Sequence, residues 1–169
     1  MGQPARQVTD SELPVPGGAD ELLDISSFIP ALITLLANRL MSSATATFKA
    51  LFGIGSLEFR VLAFIATEMP THGRRISEAI GIDKAAISRT ISSLTAAGLV
   101  CAITTRERGR RQEVTLTKAG RELHDRALAV ARERERLLVA NLSPAERQQL
   151  IGLCRRMLAQ IPNVAKLAR

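Results

Sequence analysis

Apolar residues recur at spacings of three and four along most of the chain, which predicts a largely helical protein. The first such series begins at Asp24 and weakens toward Lys49, so we expect a long amphipathic helix there. Its apolar positions are Ile25, Phe28, Ile29, Leu32, Leu35, Leu36 and Leu40. Residues 1–20 are rich in proline, glycine and polar residues, and we expect them to form a flexible N-terminal arm.

Glycines and capping residues divide the next part of the chain. Gly53 and Gly55 interrupt the first helix, and Ser56 is expected to cap a second one that stops by Pro70. A short third helix is predicted from about Arg74 to Ile80. It ends at Gly81, a residue that tolerates the positive φ common just past a helix end.

The stretch IGIDKAAISRTISSL, residues 80–94, predicts a helix with two different sides. Asp83 is expected to cap it, and it runs to about Ala97 and ends at Gly98. At about 100° per residue, one narrow face is predicted to be core. That face holds Ile87, Ile91, Leu94 and Gly98. The opposite side holds small residues and one charge, namely Ala85, Arg89, Ser92 and Ala96.

Such a slim side suits a helix that enters the major groove of DNA, although an ordinary solvent-facing side is the alternative. Ser77, four residues before Gly81, puts a small side chain where two helices would meet across a tight turn, as in a helix-turn-helix. After the predicted helix-turn-helix, strand-forming residues in Leu99–Thr105 and Gln112–Leu116 flank the loop RERGRR. They predict a two-stranded ribbon with a charged tip.

Two further helices are predicted at the C-terminal end. Thr117 is expected to cap a long helix to about Asn141, in which the alternating charges of Arg132–Arg136 indicate a solvent-exposed spacer. Ser143–Glu146 combines a capping box with proline at the first helical position. This last helix is expected to end at about Gln160, ahead of the proline at 162.

Positive charge is concentrated around the predicted helix-turn-helix and ribbon. The chain has 23 basic and 16 acidic residues, a net charge of +7, and residues 74–111 contribute +5 of it through eight basic and three acidic residues. Nucleic acid or an anionic membrane would suit this charge. No apolar run approaches the ~20 residues of a membrane span, and we expect a cytosolic protein in no contact with membrane.

The candidate DNA contacts lie on the predicted reading helix and the ribbon tip. Arg89 can bond guanine edges or phosphate, and serine hydroxyls can bond phosphates or bases. Arginines on a hairpin can enter a minor groove or hold phosphate; a solvated loop is the alternative. The candidates are Lys84, Ala85, Ser88, Arg89, Ser92, Arg106, Arg108, Arg110 and Arg111.

No catalytic, metal or cofactor site is predicted. No carboxylate pair, nucleophile with a base, or phosphate-binding glycine loop occurs, and His72 and His124 are isolated in sequence. Cys101 and Cys154 lie too far apart to indicate a disulfide scaffold or a zinc site. Both are predicted to be small packed residues, and an oxidant-sensing role for Cys101 near basic residues is the alternative.

The first and last predicted helices carry more apolar surface than a compact winged helix needs. The stripe of the last one consists of Leu150, Leu153, Cys154, Met157, Leu158 and Ile161. Surplus stripes on distant helices favour a homodimer, in which two-fold symmetry would place two reading helices about 34 Å apart. Packing within one chain is the alternative.

Residues 24–160 resemble the MarR family of winged helix-turn-helix transcription regulators, most specifically at IGIDKAAISRTISSLTAAGLV and RGRRQEVTLTKAGREL. The resemblance implies a homodimeric regulator, most often a repressor, on a palindromic operator of double-stranded DNA. It also implies release by a small, often aromatic, acid. Arg110 falls at the family's wing-tip arginine. Arg108 stands where the family often has an acid, and Cys101–Ala102 replace its usual polar pair.

These patterns predict a mainly α fold with a small two-stranded β-wing, that is, a winged helix-turn-helix plus a helical dimerisation region. The expected parts are an N-terminal dimerisation helix at 24–55, the DNA-binding domain at 56–116 and C-terminal dimerisation helices at 117–169. A winged-helix protein-interaction module is the second hypothesis, and an enzyme is the third.

Overall fold

The computed structural model describes residues 24–105 and 111–168, except the side chains at 104, 105, 111, 112, 167 and 168. It confirms a mainly helical fold with one two-stranded sheet in these ranges. The elements are α1 (Ile29–Phe52), α2 (Ser56–Thr67), α3 (Gly73–Ile80), α4 (Lys84–Ala96), β1 (Val100–Thr105), β2 (Arg111–Leu116), α5 (Lys118–Leu138), α6 (Pro144–Val164) and a 3-10 helix at Ala165–Ala168. The predicted arm at residues 1–20 lies outside the described residues.

The first helix starts five residues later than predicted. The Asp24 carboxylate accepts hydrogen bonds from the Ser26 amide and from the hydroxyls of Ser26 and Ser27, at 2.7–2.9 Å. These short local bonds compete with helical hydrogen bonding and hold a turn before Ile29. They also lower the pKa of Asp24, with the Ser26 hydroxyl as the largest cause.

Two other predicted helix ends are wrong. Ser56 is the first residue of α2 rather than its cap, and its buried hydroxyl lies 2.7 Å from that of Thr45. Gly55 occupies the cap position and donates its amide to the Glu58 carboxylate. α6 continues through Pro162 to Val164. Because Pro162 lies in the last turn, its missing N–H costs that helix only one hydrogen bond near its end.

The main hydrophobic core lies within residues 29–135, which form one compact unit. Phe48 and Phe59 are buried in it with ring centroids 4.6 Å apart. Other large members of this core are Val61, Leu62, Ile65, Ile76, Ile87, Leu94, Val100 and Val114. The predicted domain bounds at 24–55, 56–116 and 117–169 stay a prediction.

The two strands form the predicted ribbon, and a third segment joins it. β1 and β2 pair antiparallel from Val100 opposite Leu116 to Thr105 opposite Arg111. Thr71, just before α3, bridges to Val114: each amide donates to the other's carbonyl, at 3.1 and 2.7 Å. These two hydrogen bonds connect the segment just before α3 to strand β2.

Arg134 corrects the prediction that residues 132–136 form a solvent-exposed spacer. Its guanidinium donates to the hydroxyls of Thr47, at 3.0 Å, and Ser43, at 3.2 Å. This half-buried side chain therefore ties α5 to α1, whereas the neighbouring Arg132 is exposed.

Large apolar side chains remain exposed on α1 and, separately, on α6, which belongs to the second compact unit of the chain. Those on α1 include Ile29, Leu32, Ile33, Leu35 and Leu36. Those on α6 are Leu150, Ile151, Leu153, Met157, Leu158, Ile161 and Val164. Among the described residues, no single helix is long and apolar enough to cross a membrane; only α1 and α2 taken together reach that composition, and they are bent by 78°.

Candidate nucleic-acid interface

The helix-turn-helix begins with a cap that the sequence analysis missed. His72 precedes α3, and its Nδ1 accepts a hydrogen bond of 3.1 Å from the Arg75 amide. Histidine is not among the usual capping residues, so no local signal identified it. His72 therefore has a structural role at the start of α3.

The turn between α3 and α4 follows the sequence prediction closely. Gly81 ends α3 with a φ of 68°, and its amide donates to the Ser77 carbonyl. The Ser77 hydroxyl donates to the carbonyl of Ile82 at 2.6 Å, so the small side chain closes the turn. Asp83 caps α4 by accepting from the Ala86 amide at 2.8 Å. These contacts fix where α4 starts.

α4 has one buried face and one slim exposed face. Ile87 and Leu94 are buried and Ile91 is half-buried, as predicted, but Gly98 is exposed because the helix ends before it. Thr90 is also buried, and its hydroxyl donates back to the Ala86 carbonyl at 2.9 Å. All five α4 candidates are exposed: Lys84, Ala85, Ser88, Arg89 and Ser92.

Two grooves lie along the flanks of this exposed face. A groove of about 570 Å³ opens between α4, the start of α3 and β2, and both Lys84 and Arg74 line it. Ser88 and Ser92 line the same groove. The opposite groove, of about 390 Å³, is lined by Arg89 together with the start of α2. The predicted contact residues therefore divide between two sides of one helix.

Glu58 links α2 to the second flank of α4. Its Oε2 accepts from the Gly55 amide at 2.6 Å, and its Oε1 accepts from the Ser93 hydroxyl at 2.9 Å. One carboxylate thus caps α2 and holds α4 beside it. Nothing in the sequence pattern indicated this contact, because the two residues are 35 positions apart.

The basic residues of α3 are paired with acids. Arg74 Nε lies 2.8 Å from Glu78 Oε1, and Arg75 Nε lies 2.9 Å from Glu68 Oε2. The hydrogen bond from Arg74 is the largest cause that lowers the pKa of Glu78, and the charges of Arg74, Arg75 and Lys84 lower it further. The same pairs raise the arginine pKa values. Each arginine of α3 is therefore partly neutralised by a neighbouring carboxylate, so α3 attracts a polyanion less strongly than two free arginines would.

Lys84 and Arg89, by contrast, form no ion pair with any residue that the structure describes. Both are exposed and both lie on α4, one on each flanking groove. Their charges are thus available to a polyanion. Lys84 and Arg89 are thus the two exposed α4 cations of the candidate interface.

The arginines predicted for the wing tip fall largely outside the described part of the chain. Arg106, Arg108 and Arg110 lie in the gap between the described ranges. Arg111 is the first residue of β2, and only its backbone is described. Their DNA contacts remain a prediction.

The other residues singled out in the sequence have different surroundings from those expected. Cys101 is exposed, because strand alternation turns it away from the core that the preceding Val100 enters. Cys154 is exposed on α6. His124 is buried, its ring stacks on Phe59, and its Nδ1 lies 2.8 Å from the Asp125 carboxylate. The described residues contain no group of three or more His, Cys, Asp or Glu suited to a metal ion.

A helix-turn-helix followed by an antiparallel ribbon defines a winged-helix protein. A family model described as MarR family matches residues 52–112. The crystal structure of a MarR/EmrR family transcriptional regulator from Acinetobacter sp. ADP1 is 30% identical, with a TM-score of 0.79, over 83% of this chain and 99% of that one. The chain therefore belongs to the MarR family of transcriptional regulators.

More distant structures share the fold. The PcaV regulator of Streptomyces coelicolor, solved with its natural ligand, is 23% identical with a TM-score of 0.69, over 82% of this chain and 97% of its own. The S. aureus MepR–DNA complex is 18% identical with a TM-score of 0.70, over 79% and 96%. No curated protein sequence matches the chain.

Proposed function

We propose that this MarR-family regulator binds a palindromic operator as a homodimer, represses transcription by occupying promoter DNA in the cytoplasm, and is released by a small-molecule effector. The observation that carries the DNA-binding part is the exposed face of α4. It combines small residues, which allow close approach to bases, with the cations Lys84 and Arg89, which are paired with no acid among the described residues.

The exposed side chains divide naturally into two kinds of contact. Arg89, with Ser88 and Ser92, offers donors to base edges in the major groove, and a bidentate arginine suits guanine best. Lys84 suits a phosphate as a compact charge. The wing arginines, Arg106, Arg108, Arg110 and Arg111, would add phosphate or minor-groove contacts, as the sequence predicts.

The exposed apolar faces support the homodimer. Both α1 and α6 expose a large apolar stripe. Burying these stripes against a second copy of the chain would stabilise the protein. Two copies related by a two-fold axis would present two reading helices about one DNA turn, or ~34 Å, apart. A palindromic operator follows from that symmetry.

Repression and effector release rest on the resemblance to other family members. The S. aureus relative was solved on DNA and the S. coelicolor relative with its natural ligand. Neither likeness identifies an operator or effector for this chain. Binding, rather than catalysis, is the function proposed.

The test uses DNA selected from the genome of the source organism with the purified full-length protein. Affinity for the selected duplex should fall as salt rises, because phosphate contacts release counterions. Arg89→Ala should weaken it by ~10- to 100-fold, as expected for a bidentate base contact. Arg132→Ala removes the same charge from an exposed position on α5 and should change affinity less than twofold.

Equal affinity for the selected duplex in wild type and Arg89→Ala would refute the assignment of the reading helix. Failure of the wild type to be retained on any duplex, with stable capture of a protein partner, would favour the protein-interaction module instead.

The exposure of Cys101 favours one variant of this function, in which an oxidant rather than a ligand releases the DNA. Peroxide should then abolish DNA binding by the wild type but not by Cys101→Ser. Equal sensitivity of both proteins would exclude this role.

A further inference from the structure

Glu78, on α3, interacts with three basic residues of the helix-turn-helix. Its Oε1 receives a hydrogen bond of 2.8 Å from Arg74 Nε, one helical turn earlier. The positive charges of Arg75 and Lys84 also act on the Glu78 carboxylate. Arg74, Arg75 and Lys84 therefore all act on the Glu78 carboxylate, and of these Arg75 is also paired with Glu68.

Arg74 lies where it could form a further contact with DNA. It lines the 570 Å³ groove together with Lys84, Ser88 and Ser92, three of the residues proposed to meet DNA. It lies in the first turn of α3, where the helix dipole also favours an anion. Its side chain is 72% exposed, so a phosphate can approach it.

The ion pair with Glu78 competes for this arginine. Side chains as exposed as these, 72% for Arg74 and 53% for Glu78, form pairs that contribute little to stability and exchange readily. A phosphate oxygen offers Arg74 the same charge-assisted hydrogen bond that the carboxylate does. Glu78 would also repel that phosphate.

We propose that Glu78 lowers the overall DNA affinity of this regulator. Its carboxylate binds Arg74 in the free protein and so acts as an intramolecular substitute for a DNA phosphate. Binding exchanges the Arg74–Glu78 pair for an Arg74–phosphate pair, at the cost of bringing the Glu78 carboxylate near the DNA. This inference rests on the proposed function, and it concerns affinity for every sequence rather than choice of operator, because phosphates carry no sequence information.

The first test compares Glu78→Gln with the wild type on two duplexes of equal length, one selected from genomic DNA and one of random sequence. Glu78→Gln should bind both more tightly, by roughly three- to tenfold, and the slope of log affinity against log salt should steepen by up to about one. The matched control is Glu68→Gln, which frees Arg75, an arginine that does not line the groove. It should change affinity less than twofold.

The second test asks whether the gain passes through Arg74. Arg74→Ala alone should weaken binding to both duplexes, and most of the gain from Glu78→Gln should be lost in the Arg74→Ala background, where only relief of the direct Glu78–phosphate repulsion remains. Thermal unfolding of each variant checks that the fold is intact. A gain of undiminished size without Arg74, an equal gain from Glu68→Gln, or no gain from Glu78→Gln would each overturn the inference.

These outcomes separate this inference from the proposed function. If the wild type binds DNA and Arg89→Ala weakens it while Glu78→Gln changes nothing, only the role of Glu78 fails. If the wild type shows no salt-dependent binding to either duplex, the proposed function fails as well.

Discussion

Gly120, in the first turn of α5, packs so closely on Leu99 that a β-carbon at position 120 would overlap the Leu99 carbonyl oxygen. The same carbonyl accepts a hydrogen bond of 3.1 Å from the Thr117 amide, and the Thr117 hydroxyl caps α5 by accepting from the Gly120 amide at 3.0 Å. The residue just before β1 and the start of α5 are therefore joined through backbone atoms, which cannot move aside as a side chain can.

Gly120→Ala should consequently destabilise the protein, by about 1–3 kcal/mol or more, because the overlap is with backbone. Gly152→Ala is the matched control, since nothing lies within 4 Å of a β-carbon built there in α6. That change should be neutral or slightly stabilising. Urea unfolding measures both. Equal stability of the two variants would show that the junction between Leu99 and α5 is looser than described.

The junction between α1 and α5 depends on Arg134. Arg134→Ala should lower the free energy of unfolding by about 1–2 kcal/mol, because it leaves the hydroxyls of Ser43 and Thr47 without their charged donor. Arg134→Lys should recover only part of this, since lysine cannot bond two hydroxyls with a planar fork. Arg132→Ala, an exposed neighbour, should cost less than about 0.5 kcal/mol. Similar losses from both alanine variants would argue against the α1–α5 tie.

The parts of the fold that the sequence predicted well have local causes. Asp83 before α4, Gly81 after α3 and the Ser143 capping box each act within four residues, so their signals can be found without knowing the tertiary structure. The apolar spacing of α4 likewise identified its buried face, apart from Gly98.

The parts that it missed depend on contacts between distant segments. Arg134 was predicted to be solvent-exposed because the alternating charges around it do not show which one meets α1. The Glu58–Ser93 bond and the Thr71–Val114 bridge have no sequence signature at all. Arg74 was correctly counted as a cation, but its pairing with Glu78 depends on side-chain geometry rather than composition.

The exposed stripe of α6 gives a test of the homodimer. Leu158 is 69% exposed, and Leu158→Glu would place a charge in an interface that buries it. We expect this variant to sediment as a monomer and to bind the selected duplex at least tenfold more weakly, because a single reading helix contacts only half a palindrome. Gln148→Glu adds the same charge to the polar side of α6 and should stay dimeric. A monomeric wild type would contradict the proposal.

The α6 capping box makes stability depend on pH in a defined window. The Glu146 carboxylate accepts hydrogen bonds from the Ser143 hydroxyl, at 2.7 Å, and from the Ser143 amide, at 2.8 Å. These bonds lower the pKa of Glu146 below its ordinary value of 4.5, and the hydroxyl is the larger cause. A carboxyl whose pKa is lowered by folding stabilises the folded state above the unfolded pKa. That contribution is lost as pH falls through the lower, folded value.

Glu146→Ala should therefore lower the midpoint of thermal unfolding at pH 7, and the difference from wild type should shrink steadily below about pH 4.5. Glu122→Ala controls for the general effect of lost negative charge, because this α5 carboxylate accepts no hydrogen bond from the residues that the structure describes. A difference between wild type and Glu146→Ala that stays constant from pH 7 to about pH 3 would mean that the ionised carboxylate does not stabilise the start of α6.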